Sequence, residues 1–92
     1  MILSFRHKGL KRLFEEGDRS KVPAAQADKI ERILARLAEA SGPENMDLPG
    51  FKLHRLKHDL AGFWAVSVSA NWRVIFRFED EHGCDVDLID YH

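Results

Sequence analysis

The spacing of apolar residues along this chain of 92 residues changes period once, and that change limits the fold more than any other feature. Up to residue 40 the spacing is helical. Ala27, Ile30, Ile33, Leu34 and Leu37 recur at intervals of three and four, which puts them on one stripe of a helix over 23–40 with Asp28, Glu31, Arg32, Arg36 and Glu39 outward. Pro23 suits the first turn, where a missing N–H leaves nothing unpaired. An earlier, shorter helix is expected from His7, Leu10, Leu13 and Phe14, ending at Gly17. Ahead of it, the β-prone "ILSF" reads as a strand.

After the breaker-rich loop "SGPENMDLPG" the period becomes two. "KLHRLKH" is a short basic strand, and "GFWAVSVS" a second with Trp64, Val66 and Val68 on one side. "NWRVIFRFE" is a third, dividing Trp72, Val74, Phe76 and Phe78 from Arg73, Ile75 and Arg77. "DEHGCD" supplies a glycine-containing turn into a last strand, "VDLIDYH". Short links favour antiparallel neighbours. The order β-α-α-β-β-β-β therefore predicts an α+β fold, two N-terminal helices on one face of a curved, mainly antiparallel sheet, with the other face left for a ligand.

Several classes of function are excluded at this point. The length suits one domain over 1–92 with one core. Cys84 is the only cysteine, which rules out an intrachain disulfide framework and a thiolate zinc site. Neither a secretory signal nor a membrane span is evident, so a cytoplasmic protein is expected. Phosphate-loop, serine-hydrolase, zincin and dithiol motifs are absent too. The net charge of -1 conceals a division. Lys52, Arg55, Lys57, Arg73 and Arg77 face only Asp59 over 52–78, whereas the acids Glu79, Asp80, Glu81, Asp85, Asp87 and Asp90 gather after them. A polyanion would meet one basic patch rather than the whole surface.

Polar residues on the strands are the remaining candidates for chemistry. Arg73 is either a solvent-facing arginine on a half-exposed sheet or a guanidinium whose fork holds a phosphate. "HRLKH" at 54–58 is either an edge strand blunted by charge or a site. In an ideal strand His54 and His58 share one face and Arg55 and Lys57 the other, so they line one site only if the strand ends or bulges there. A metal between His54 and His58 lacks a further ligand cluster. Asp90, Tyr91 and His92 are either a frayed end or a tail held by the strand before them.

These residues together resemble a known family. The order of elements is similar to the RelE/ParE superfamily of bacterial type II toxins, and "GFWAVSVSANWRVIFRFED" followed by "DVDLIDYH" resembles its HigB, or plasmid-maintenance killer protein, branch. The resemblance runs over essentially the whole chain. It implies a ribosome-dependent, metal-free endoribonuclease toxin that cuts messenger RNA, with no cofactor and with a functional set at His54, Lys57, Arg73, Asp90, Tyr91 and His92. It also implies a helix-turn-helix antitoxin of the HigA type, and contact with operator DNA only through that complex. Toxins of this kind are usually basic, and this chain is slightly acidic. A gyrase inhibitor of the ParE kind on the same fold, and a non-catalytic protein-binding module, are the competing readings.

Metal-free cleavage by a ribose 2'-oxygen needs a base at that hydroxyl, an acid at the leaving oxygen and cations around the phosphate. Arg73 and Lys57 are the expected cations. His54 and His92 are the expected acid–base pair, because imidazole exchanges protons near neutral pH. The sequence does not say which is acid and which is base; a terminal carboxylate on His92, with Asp90 two residues away, would favour imidazolium there and suit the acid role. Tyr91 is expected to stack on an unpaired base, and Asp90 to orient a histidine or touch a base edge.

Overall fold

The computed structural model describes residues 1–90. Two helices, α1 (Lys8–Glu16) and α2 (Ala27–Glu39), precede the strands β1 (His54–Arg55), β2 (Trp64–Ser67), β3 (Trp72–Glu79) and β4 (His82–Asp90). The strands form an antiparallel sheet in the order β1-β2-β3-β4, so sequence neighbours are spatial neighbours. This is the α+β arrangement that the change of period requires.

The helices form as their residues dictate. At the start of α1, His7 Nδ1 accepts the Leu10 N–H at 3.1 Å, so the imidazole caps the helix instead of packing inside it. Gly17 ends it at φ 72°, with its N–H directed to the carbonyls of Arg12 and Leu13. Pro23 opens a 3₁₀ turn, Ala24–Gln26, and α2 begins only at Ala27. Ile30, Ile33, Leu34 and Leu37 of α2 are sealed from solvent, each contributing about 1.5–3 kcal/mol of burial. They meet Val66, Val74, Phe76, Val86 and Leu88 of the sheet, and Met46 from the following loop completes this core. Arg19 draws Asp28 and Glu31 together on the outer side of α2.

Four details depart from the sequence reading. "ILSF" makes no continuous strand: it lies parallel to β4 through bridges at Ile2–Gly83 and Phe5–Val86. The reason is a bulge, in which Asp85 at φ 51° adds a residue to β4 and breaks the ladder. Ser4 Oγ accepts the Asp85 N–H at 2.9 Å and fastens the segment there. The hairpin turn is Asp80-Glu81, both at positive φ, closed by the Glu79–His82 pair. Gly83 is therefore a strand residue, and packing explains it: a Cβ there would stand 3.1 Å from Leu37 Cδ1.

The basic strand is also shorter than expected, with His54 and Arg55 alone in β1 and His58–Leu60 in a 3₁₀ turn. Finally, the sheet face opposite the helices is not wholly open. Phe63, Ala65 and Ile75 form a second small core there, joined by Leu56, Leu60 and Ile89.

Candidate functional site

Register decides which side chains share that second face. His54 pairs with Ala65, Ala65 with Ile75, and Ile75 with Asp87. One step along, Ser67 pairs with Arg73 and Arg73 with Ile89. Directly paired residues point to the same side, so His54, Arg73, Asp87 and Ile89 all belong to the face carrying the small core. His54 and Arg73 are two strands and two residues apart, a Cα separation of about 12 Å.

Arg73 is half-buried, and its own turn holds it. Its Nη1 donates to the carbonyl of Ser69 at 2.7 Å, of Trp72 at 3.1 Å and of Ala70 at 3.4 Å. The β2–β3 loop therefore fixes the guanidinium plane. His54 is exposed, and its ring is oriented by a bond of 3.0 Å between Nδ1 and the carbonyl oxygen of Lys52. A carbonyl only accepts, so Nδ1 carries a proton and Nε2 is the ring nitrogen left to face a ligand. Lys52 takes φ 51°, which turns that carbonyl toward the ring.

Lys57 follows the end of β1 in extended conformation, at the start of the 3₁₀ turn. Ending the strand at Arg55 lets His54, Arg55, Lys57 and His58 line one depression of about 400 Å³ with Leu56 and Leu60. Arg73 is not part of its wall. Arg55 lies on the helix side of the sheet with its guanidinium 5.2 Å from the Trp64 ring. Asp90 pairs with Trp72, a register that assigns it to the helix side, and its Oδ1 accepts from Asn71 Nδ2 at 3.1 Å. Tyr91 and His92 lie outside the described residues.

The Arg77 guanidinium, bonded through Nε to Asp85 at 2.7 Å, holds that carboxyl below the usual range, and Asp85 raises Arg77 in turn. Burial pushes the Cys84 thiol up, which suits a packing residue rather than a nucleophile. Among the described residues no group of three or more His, Cys, Asp and Glu is placed to hold a metal ion. Among the same described residues no helix is long and apolar enough to cross a membrane. His58 and the Lys52 carbonyl were not among the residues expected to act. The second imidazole of "HRLKH" was the available signal for the first, and a backbone conformation gives none.

Two helices lie on one face of the antiparallel sheet, with an arginine and a histidine on the other, and solved toxins share this α+β arrangement. A family model described as the RelE-like toxin of the type II toxin-antitoxin system HigB matches residues 3–92, and the chain belongs to that family. Endoribonuclease HigB of Proteus vulgaris is 42% identical over 92 residues, which cover 100% of both chains. Among solved structures, the YoeB-YefM complex from Staphylococcus aureus aligns with a TM-score of 0.65 at 17% identity, over 100% of this chain and 95% of that one. The YoeB/ParE toxin from Agrobacterium tumefaciens gives 0.62 at 19%, over 99% and 96%. At such low identity the structural likeness speaks for the fold.

Proposed function

We propose that this chain is the toxin of a type II toxin-antitoxin pair and acts as a ribosome-dependent endoribonuclease on messenger RNA. The observation that carries the reading is the common face of His54 and Arg73, each fixed by a backbone carbonyl, in a chain 42% identical to a named endoribonuclease. The messenger's ribose 2'-hydroxyl loses its proton to His54 Nε2 as its oxygen attacks the adjacent phosphorus. The P–O5' bond breaks, His92 protonates the leaving oxygen, and the products are a 2',3'-cyclic phosphate and a 5'-hydroxyl. Arg73 and Lys57 balance charge at the phosphate. Tyr91 stacks on a base, and Asp90 orients a histidine or touches a base edge.

Positioning explains the dependence on a ribosome. About 12 Å separates the Cα atoms of His54 and Arg73, so a flexible RNA would rarely present its phosphate to both, whereas a held messenger would. The protein works in the cytoplasm as one domain over 1–92. Its partner is a helix-turn-helix antitoxin of the HigA type, and the complex, not this chain alone, meets operator DNA.

Brief induction followed by mapping of messenger ends, read beside DNA supercoiling, tests the reading. Cuts inside translated codons are expected, and His54→Ala should lower cleavage about 10²- to 10⁴-fold while the protein stays folded. Relaxed or broken DNA with intact messengers would replace it with gyrase inhibition. Full toxicity of the Arg73→Ala, His92→Ala double variant would refute it.

A further inference from the structure

We propose that the depression beside β1 seats one unpaired nucleobase flanking the cleaved bond, and that His58 is the residue that selects it. The inference rests on the ribonuclease reading and adds a subsite to it. Leu56 and Leu60 supply an apolar floor continuous with the Phe63 core, Lys57 supplies a cation, and His54 and His58 supply flat imidazole rings. A phosphate alone has no use for a leucine floor. A base offers an apolar face for stacking and is joined to an anionic backbone, which matches floor and cation together.

The backbone gives the second argument. His58 is held at φ 59°, a conformation glycine enters freely and residues with a Cβ enter only at a cost. Gly50 and Gly62, on either side of this segment, take positive φ as glycines, whereas Lys52, whose carbonyl holds the His54 ring, and His58 take it with side chains. The turn over-determines that conformation: Leu60 N–H donates to Lys57 O at 3.2 Å, Ala61 N–H to His58 O at 3.1 Å, and Leu56 N–H to Phe63 O at 2.9 Å. Strain maintained in this way gathers where a ligand is held. The ring is exposed, so packing does not account for it.

His58→Gly and His58→Asn test the proposal, because both residues accept a left-handed backbone and neither carries the ring. His58→Gly should unfold at a temperature no lower than the unaltered protein. On ribosomes programmed with messengers that differ only in the bases beside the cut, both variants should raise KM about five- to 150-fold, the range of one lost base stack. kcat should hold, and the preference among flanking bases should flatten. A messenger lacking that one base should raise the KM of the unaltered protein to the same level and leave His58→Gly unmoved. Unchanged KM and unchanged preference in both variants would overturn the subsite while the ribonuclease reading stood. So would a fall in kcat with KM held, which would make His58 part of proton transfer. Absence of cleavage by the unaltered chain would overturn the reading and the subsite together.

Discussion

Two positions in the β3–β4 hairpin should both favour glycine, so that introducing it at one stabilises the fold and removing it from the other destabilises it. Asp80 and Glu81 form the turn at φ 50° and φ 67°, and neither is glycine. A left-handed residue with a Cβ costs about 1–2 kcal/mol, and glycine loses about 0.5–1 kcal/mol more backbone entropy on folding. Glu81→Gly should therefore stabilise by about 0.5–1 kcal/mol. At Gly83 the added Cβ of alanine would stand 3.1 Å from Leu37 Cδ1 and 3.2 Å from Leu37 Cγ, and Leu37 is fully buried. Overpacking costs about 1–3 kcal/mol, and the stiffer unfolded chain returns about 0.4–1 kcal/mol, so Gly83→Ala should destabilise by about 1–2 kcal/mol. For a domain this size, 1 kcal/mol moves the midpoint about 4–8 °C, well within the reach of thermal unfolding followed by circular dichroism. Pairing Gly83→Ala with Leu37→Val should recover part of the loss, because the two changes share one contact. A neutral Gly83→Ala beside a destabilising Glu81→Gly would refute both the assignment of the turn and the packing argument.

Other outcomes follow from single contacts. Arg73→Lys keeps the charge and loses the fork, so kcat/KM for messenger cleavage should fall about ten- to a hundredfold with unchanged circular dichroism. Met46→Ala should cost about 2–5 kcal/mol in urea unfolding, since that side chain is sealed between α2 and the sheet. Asp85 has a folded value held below its unfolded one by Arg77, so its contribution is present above the ordinary carboxylate range. That contribution is lost as pH falls through the depressed value, and stability curves of the unaltered protein and Asp85→Asn should converge in acid and separate toward neutrality.

The sequence revealed elements whose pattern was set by one neighbour. α2 was legible because Ile30, Ile33, Leu34 and Leu37 face a single layer, and β3 because Trp72, Val74, Phe76 and Phe78 do. Tertiary accommodation was hidden. Cys84, Val86 and Leu88 alternate as if on one face, yet the bulge at Asp85 pairs Cys84 with Arg77 on the other side. Gly83 looked like a turn residue because a helix contact from Leu37 has no local signature. Ile75, between Arg73 and Arg77, did signal that the second face was not purely polar, and it anchors the small core there. As for the site, His54 and Lys57 do line one depression, while Arg73 stands apart by strand register. That distance depends on β2 lying between them, which no local pattern reports.

The bond from Asp85 to Ser4 joins residues 81 positions apart, and the bridges of Ile2 and Phe5 to β4 are of similar reach. Contacts of such separation require nearly the whole chain before they can close. During synthesis the first residues wait without their partner strand, and the sheet takes its final register only once β4 has been made. Until then the face that carries His54 and Arg73 lacks its β4 neighbours, Asp87 and Ile89.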